Sequence, residues 1–281
     1  MREVFSPVTL DDLWGCFEAE PEAAVYAGGT DLLVRTRNGL VHPKALICLD
    51  RMEELKGVGE YGGSIRIGAC ETYTELIENR LIRTRLSVLR QAMKGIGSPL
   101  VRNMATIGGN ICTASPAGDT LPPLYALKAE VELRSRDGAR RMPIAEFITG
   151  PGGVRLQPAE ILAAVWVKDP VEYNLHHFEK VGLRNALACS VVSMAALLRL
   201  APGGVVEKAA LAWGSVGPTI LTCSSAEEII VGEALTAARL EEAAHLVREA
   251  VSPISDVRAG ADYRRTVAGN LLLRLPYVQQ A

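Results

Sequence analysis

The sequence has no closely spaced cysteines and few histidines, which excludes the usual protein metal centres. Its six cysteines form no Cys-x-x-Cys pair, and only four histidines occur among 281 residues. Zinc and iron–sulfur sites need several thiolates or imidazoles at short spacing. We therefore expect no metal site in this chain, and thiols that stay reduced and mostly buried.

Long apolar runs, excess charge and targeting signals are also missing. No uninterrupted apolar stretch approaches the roughly 18 residues that a membrane helix needs. The first residues, MREVFSPVTLDDL, contain no apolar signal region and no twin arginine. The 30 Lys and Arg residues nearly balance the 32 Asp and Glu residues, so the net charge of −2 offers no basic face to nucleic acid. These absences predict a cytoplasmic globular protein.

The residues that are present follow the pattern of an α+β protein. Thr9 before an acidic turn, and Thr72 with Glu75 three residues later, predict helix N-termini. Short apolar or alternating segments predict strands at 24–26, 45–49, 64–69, 129–136, 140–143, 161–168, 177–182, 190–200 and 207–213. Helical patterns cover 11–20, 32–37, 72–81, 87–95, 221–230, 235–250 and 264–275.

The segment Lys168-Asp169-Pro170 predicts a boundary between two parts of the chain. The first part, 1–170, divides into subdomains of about 1–55 and 56–170. The second part, 171–281, is smaller.

Two glycine-containing segments carry the chemical signal. The first, Ala27-Gly28-Gly29-Thr30-Asp31-Leu32, joins a predicted strand to a predicted helix. Paired glycines let the backbone approach a ligand closely, and the amides of such a loop and of a helix N-terminus favour an anion. Paired glycines between a strand and a helix are common, so this segment alone identifies no ligand.

The second segment is Thr106-Ile107-Gly108-Gly109-Asn110, followed by small and hydroxyl-bearing residues as far as Asp119. We interpret its glycines as a second turn. Such a run makes a poor core segment but a good lining for an elongated polar ligand, with amides and hydroxyls for phosphates and a carboxylate for a sugar hydroxyl. Neither segment has the Gly-x-Gly-x-x-Gly or P-loop spacing. Together they predict a phosphate-bearing ligand held between two segments.

With these segments the chain resembles the FAD subunits of the xanthine dehydrogenase and carbon monoxide dehydrogenase family of molybdenum hydroxylases. The family's AGGT/S-D/N-L loop matches 27–32, and its TIGGN-x-x-x-ASP-x-x-D-x-x-P motif matches 106–122. Further matches, in the family's order, are Glu160-Ile161-Leu162, the segment 178–188 and the C-terminal segments 256–259, 263–265 and 268–269. The resemblance therefore covers nearly the whole chain.

The resemblance implies a fold and a cofactor. The fold is a two-part FAD-binding domain of the vanillyl-alcohol oxidase type, followed by a smaller C-terminal flavoprotein domain of sheet and helices. The cofactor is non-covalent FAD, with its pyrophosphate against the two glycine segments. The implied cofactor-binding residues are Ala27, Gly28, Gly29, Thr30, Asp31, Leu32, Thr106, Ile107, Gly108, Gly109, Asn110, Thr113, Asp119, Ile161, Leu162 and Lys180.

Five of these residues have separate implied roles. Thr113 and Asp119 would hold ribityl or ribose hydroxyls, Ile161 and Leu162 would lie by the ring system, and Lys180 would reach the flavin, whose reduced anion a cation stabilises. The residue types alone leave simpler alternatives open. Asp119 could cap the following helix, and Thr113 could bond to local backbone. Ile161 and Leu162 could be core residues of a strand, and Lys180 a solvated charge.

The chain departs from the family after Arg184, where many members have an acidic residue and this sequence continues Asn185-Ala186-Leu187-Ala188. That difference leaves the electron acceptor open, because this strand helps to shape the acceptor side of the flavin in the family.

The activity implied by the resemblance is electron transfer. A large partner subunit with a molybdenum cofactor would oxidise the substrate, and [2Fe–2S] clusters on a small partner subunit would pass the electrons on. This chain would deliver them from FAD to NAD⁺ or another acceptor, without a catalytic acid or base of its own. Two alternatives are a stand-alone FAD-dependent oxidase and a flavin-less scaffold subunit. The resemblance implies that the substrate site lies on another subunit.

Overall fold

The computed structural model describes residues 3–278, which form both strands and helices. The strands are β1 (Glu3–Phe5), β2 (Ala24–Tyr26), β3 (Ala45–Cys48), β4 (Val58–Tyr61), β5 (Ser64–Gly68), β6 (Glu130–Ser135), β7 (Gly138–Pro143), β8 (Ile148–Gly150), β9 (Gly153–Val154), β10 (Ile161–Lys168), β11 (Leu175–Gly182), β12 (Ser190–Leu200), β13 (Val206–Gly214) and β14 (Leu221–Thr222).

The helices lie between these strands and after the last of them. They are α1 (Leu10–Ala19), α2 (Leu32–Arg37), α3 (Tyr73–Glu78), α4 (Arg80–Arg85), α5 (Ser87–Lys94), α6 (Pro99–Arg102), α7 (Ile107–Thr113), α8 (Leu121–Ala126), α9 (Ile144–Phe147), α10 (Ser224–Ile230), α11 (Ala237–Ala250), α12 (Ala261–Leu272) and α13 (Leu275–Val278). The predicted α+β class is confirmed.

Two predicted helix starts are confirmed by their hydrogen bonds. The Thr9 hydroxyl accepts the Asp12 amide N–H at 3.1 Å, and the Asp12 carboxylate accepts the Thr9 amide N–H at 3.1 Å. Thr72 and Glu75 form the same reciprocal pair at the start of α3. Each pair satisfies amides that the first helical turn leaves without a backbone acceptor.

The chain forms two compact units. The first consists of the residues up to Leu81 together with Gly97–Ala114 and Ala129–Lys168. It contains a parallel sheet of order β1–β3–β2 and an antiparallel sheet of order β4–β5–β10–β6–β7. The central strand β10 is almost wholly buried, as its apolar sequence ILAAVWV predicts. Its residues Ile161 and Ala163 share a core with the apolar face of α1 and with β3.

The second unit consists of Ile82–Ile96, Ser115–Lys128 and the chain from Asp169 onward. Its antiparallel sheet has the order β11–β12–β13–β14. The fully buried Trp213 on β13 shares a core with apolar residues of α11 and α12 and donates its indole N–H to Ala268 O at 3.0 Å. The predicted division into 1–170 and 171–281 stays a prediction.

One predicted helix begins later than its pattern indicates. The helix predicted from residue 221 begins at Ser224, and Leu221 and Thr222 instead form β14. Leu221 pairs with Trp213 and Thr222 with Ala212, which adds a short strand to the edge of the sheet. The local pattern missed this because the pairing partner lies elsewhere in the sequence.

The free edge of β11 is covered by one side chain of α5. Gln91 donates from its amide nitrogen to His176 O at 3.0 Å and accepts the Phe178 amide N–H at 2.9 Å. The glutamine therefore makes the two hydrogen bonds that a neighbouring strand would make.

Within residues 3–278, no helix has the length and apolar character needed to cross a membrane. The six cysteines are free thiols, of which Cys48, Cys70 and Cys223 are buried and Cys189 is exposed.

Candidate cofactor site

The loop after β2 requires glycine at two positions for different reasons. Gly29 has φ of 69°, in the left-handed region that side chains disfavour. Gly28 lies against residue 104, so closely that a Cβ atom there would lie 1.6 Å from the Met104 carbonyl oxygen. The first glycine segment therefore packs against the backbone of residue 104, just before the second segment begins.

The same loop presents a row of backbone amides. Within residues 3–278, the amide N–H groups of residues 28–32 have no hydrogen-bond acceptor, and Leu33 is the next residue whose amide has one, Gly29 O at 3.1 Å. Successive amides around a left-handed residue form a concave donor surface that suits an anion. The loop thus has the donors that a diphosphate needs.

Asp31, the last residue before α2, carries the acidic group of this loop. Its carboxylate accepts the Thr113 hydroxyl at 3.3 Å and lies 3.7 Å from the Arg35 guanidinium, one helical turn onward. Thr113 lies closer to Gly109 O, at 2.9 Å. The alternative that Thr113 bonds to local backbone is therefore confirmed.

The second glycine segment is a helix start, and the predicted glycine turn is wrong. Thr106 caps α7 by accepting the Gly109 amide N–H at 3.2 Å, so Gly108 and Gly109 lie in the first helical turn. The Gly108 amide donates to Ala69 O at 2.9 Å, and the Asn110 amide donates to Thr106 O at 3.1 Å. These amides already have protein acceptors, and their predicted role toward a phosphate stays a prediction.

A cavity of about 140 Å³ lies within the first unit and is bounded by both glycine segments. Its lining is mostly apolar and consists of Val25, Tyr26, Ala27, Leu49, Ala69, Cys70, Thr106, Gly108, Gly109, Cys112, Leu156, Glu160, Ile161 and Leu162. Gly108 is packed against Ala69, where a Cβ would lie 2.6 Å from the Ala69 Cβ. Gly109 also lines the cavity, and within residues 3–278 only the Thr106 hydroxyl lies within 4 Å of a Cβ added there, at 3.0 Å, so we expect a larger side chain to enter the cavity.

Ile161 and Leu162, at the start of β10, are buried, so the alternative that they are core strand residues is confirmed. They also line the cavity. The preceding Glu160 accepts both arms of the Arg140 guanidinium, at 2.7 and 2.8 Å. The Arg140 hydrogen bond holds the pKa of the Glu160 carboxyl below its usual range.

Asp119 and Lys180 come together in the second unit. The Lys180 ammonium donates to Asp119 Oδ2 at 2.7 Å, to Gly95 O at 2.8 Å and to Ala188 O at 3.1 Å. Its side chain is only 17% exposed, so the alternative of a solvated charge is wrong. The Asp119 carboxylate also accepts the hydroxyl of Ser190.

The alternative that Asp119 caps α8 is wrong as well. Thr120 occupies the N-cap position, without a side-chain cap, and the Asp119 carboxylate is directed to Lys180 and Ser190 instead. Burial raises the pKa of the Asp119 carboxyl, and the Lys180 ammonium and the Ser190 hydroxyl act in the opposite direction.

The predicted site residues thus fall into two groups. The first unit holds those of the two glycine segments with Ile161 and Leu162, and the second unit holds Asp119 and Lys180. Sequence reasoning missed Ser190 and the Arg140–Glu160 pair. Glu160 belongs to the matched segment Glu160-Ile161-Leu162, which is a signal for the latter, whereas nothing in the sequence marks Ser190.

These residues fit a dinucleotide that joins a diphosphate to flat apolar rings. The amide row offers donors to the diphosphate, and the apolar cavity suits a ring.

Two family models match the chain in succession: the FAD binding domain in molybdopterin dehydrogenase over residues 1–168, and the CO dehydrogenase flavoprotein C-terminal domain over 177–277. The chain therefore belongs to the family of the FAD binding domain in molybdopterin dehydrogenase.

Known members of the family match this FAD-binding chain over most of its length. The xanthine dehydrogenase FAD-binding subunit of Escherichia coli O157:H7 is 35% identical over 259 residues, which are 91% of this chain and 88% of that subunit. The nicotinate dehydrogenase FAD-subunit of Eubacterium barkeri is 31% identical, with 94% and 90% covered. The carbon monoxide dehydrogenase of Hydrogenophaga pseudoflava has a chain with a TM-score of 0.93 at 28% identity, with 99% and 97% covered.

The predicted family, fold and class of enzyme are therefore confirmed. This chain is an FAD-binding medium subunit of the xanthine and carbon monoxide dehydrogenase type, which makes it part of an oxidoreductase.

Proposed function

We propose that this FAD subunit binds its cofactor without a covalent bond and passes electrons from [2Fe–2S] clusters on a small partner subunit to NAD⁺ or another acceptor. A large partner subunit with the molybdenum cofactor supplies those electrons by oxidising the substrate. The observation that carries the proposal is the row of amides at residues 28–32, in the same unit as an apolar cavity that residues 161 and 162 line.

The amide row serves the diphosphate of FAD. Two phosphate charges need several donors in a fixed arrangement, and successive amides around a left-handed residue such as Gly29 form a concavity that suits an anion. Asp31 would repel a phosphate, but its carboxylate lies 3.7 Å from the Arg35 guanidinium and 3.3 Å from the Thr113 hydroxyl. Asp31 therefore orders the loop, and the backbone binds the anion.

The cavity serves a ring of the cofactor. The mostly apolar lining and the bare backbone of Gly109 suit a ring of the cofactor. The contacts are dispersive and hydrophobic, so they give affinity without reactivity.

The thiols at the cavity support the proposal that the flavin is not covalently attached. Burial raises the pKa values of Cys70 and Cys112 to about 12. Both thiols stay protonated at neutral pH, and a protonated thiol is a poor nucleophile.

FAD itself supplies the redox chemistry when it is bound. The chain binds the cofactor, orients it and keeps competing groups away, and none of its residues is proposed as an acid or base. Asp119 is proposed on the resemblance to contact the cofactor's hydroxyls, and the predicted reach of Lys180 to the flavin rests on the resemblance alone. The free thiols support a cytoplasmic location, where thiols stay reduced.

The first test is the colour of the purified full-length chain. A flavin spectrum, with FAD released into the supernatant by acid, is the expected result. Gly109→Val should lose the flavin because its side chain enters the cavity. Gly150→Val is the matched control, since nothing lies within 4 Å of a Cβ there. A colourless wild-type chain that takes up no added FAD would refute the proposal and favour a flavin-less scaffold.

The second test concerns the partners and the acceptor. Co-expression with the large and small subunits should give a complex that reduces NAD⁺ or an artificial acceptor when substrate is added. Turnover by the isolated chain with a soluble substrate would instead favour a stand-alone oxidase.

A further inference from the structure

Lys180 has no hydrogen-bond donor left for a cofactor. An ammonium group has three N–H donors and no acceptor. All three are directed to protein oxygens, on Asp119, Gly95 and Ala188. The same ammonium therefore joins the end of α5, the segment after residue 115 and the loop before β12. A direct bond from Lys180 to a ligand would break one of these contacts.

Asp119 differs because it keeps acceptor capacity. Its Oδ2 accepts from Lys180 and its Oδ1 accepts from Ser190. Each carboxylate oxygen has two lone pairs, so a ligand hydroxyl can bind to Asp119 while both protein contacts persist. Asp119 is only 7% exposed, which limits that contact to the accessible part of the carboxylate.

Ser190 is itself fixed from two sides. It begins β12, where its backbone pairs with Gly182 of β11, and it is fully buried. Its carbonyl oxygen accepts the hydroxyl of Ser215 at 3.0 Å. These contacts fix the backbone of Ser190 independently of any ligand, and its hydroxyl donates to Asp119.

We propose that Ser190 and Lys180 are positioning residues, which act on FAD through Asp119 by holding its carboxylate in the binding orientation. The inference rests on the proposed function, in which Asp119 contacts a cofactor hydroxyl. In this inference Lys180 holds Asp119 in place and does not contact the flavin directly. Ser190, which no sequence motif marks, is added to the residues that hold Asp119.

The physical reason is the cost of a buried carboxylate oxygen without a donor. If the serine hydroxyl is removed, Asp119 must rotate, take up a proton or lose part of its contact with Lys180. Each response changes the position of the acceptor oxygen. A hydrogen bond to a charged group is strong enough that its loss should weaken FAD binding by at least about tenfold.

The test measures FAD binding to the deflavinated full-length chain, with the melting temperature of the same samples. Ser190→Ala should weaken FAD binding at least about tenfold. Ser190→Thr, which keeps the hydroxyl, should restore most of the affinity. Ser193→Ala is the matched control, because this buried serine lies on the same strand and its hydroxyl has no partner within residues 3–278. It should bind FAD as the wild type does.

A double-mutant comparison separates positioning from a general loss of structure. In an Asp119→Ala background, Ser190→Ala should weaken FAD binding no further, because the residue through which it acts is gone. The visible circular dichroism of the bound flavin should change in Ser190→Ala and return in Ser190→Thr.

Three results would overturn the inference. One is a Ser190→Ala chain with the affinity of Ser193→Ala, whatever its melting temperature. Another is an undiminished effect of Ser190→Ala in the Asp119→Ala background. The third is failure to fold of both Ser190→Ala and the milder Ser190→Cys, which would assign the serine a purely structural role. FAD binding by the wild-type chain tests the proposed function. The ratio of the FAD affinity of a variant to that of the wild type tests the positioning roles of Ser190 and Lys180 separately.

Discussion

Replacing Gly28 with alanine should disrupt the first glycine segment more than any single methyl group elsewhere in the site. An added Cβ would lie 1.6 Å from the Met104 carbonyl oxygen and 2.4 Å from its carbonyl carbon. Carbon and oxygen atoms normally approach no closer than about 3.3 Å. The loop must therefore retreat by roughly 1.5 Å or more, because the atoms it meets belong to backbone and cannot swing aside.

The size of the effect follows from that displacement. Overpacking a well-packed position costs about 1–3 kcal/mol of unfolding free energy, and more when backbone has to move. The retreat also shifts the amides of residues 28–32 relative to the cavity. FAD affinity should therefore fall by more than tenfold, since a bound phosphate depends on all of these donors together.

Urea unfolding of the apo-chain and titration with FAD measure the two effects separately. Gly109→Ala is the comparison within the site, because its Cβ would meet only the Thr106 hydroxyl at 3.0 Å. Gly15→Ala is the control outside it, on an exposed face of α1 with nothing within 4 Å, and should stabilise the helix by up to about 1 kcal/mol. A Gly28→Ala chain with wild-type stability and wild-type FAD affinity would refute the reasoning.

Three further changes should have defined effects. The pKa of Glu160 is lowered in the folded chain, so its contribution to stability is present above the unfolded-state pKa of about 4.3 and is lost as the pH falls through the folded-state pKa. Glu160→Gln should remove that part of the acid dependence of the unfolding free energy, measured by urea titrations from pH 3 to 6. An unchanged pH dependence would contradict the role of Arg140. Arg264→Met should lower the unfolding free energy by about 1–3 kcal/mol, because it leaves the buried carbonyl oxygens of Val191 and Ser215 without the donor that this guanidinium supplies. A loss below about 1 kcal/mol by chemical denaturation would argue against it. Thr106→Ala should cost about 1 kcal/mol as a lost N-cap, whereas Thr106→Ser should keep most of the stability in the same melts.

Local signals sufficed where the interaction partners are neighbours in sequence. Thr9 and Thr72 meet their capping partners three residues later, and the apolar run of β10 marks a buried strand by itself. The glycine motifs identified the family because their order and spacing are distinctive.

Long-range contacts decided what the sequence could not. Gly28 needs to be glycine because of Met104, and the buried state of Lys180 depends on oxygens of two distant residues, Gly95 and Asp119, as well as on that of Ala188. The paired glycines Gly108 and Gly109 predict a turn, since glycine disfavours helices. The Thr106 cap and the close contact with Ala69 outweigh that preference.

The glutamine that covers β11 has a consequence for the behaviour of the protein in a crowded solution. An uncovered strand edge is a template for pairing with another chain. Gln91 blocks this template with one donor and one acceptor at the right distance. A leucine at this position would fill similar space but would leave the edge ready to recruit a second molecule. The amide of Gln91 thus helps to keep each copy of the chain from aggregating with the next.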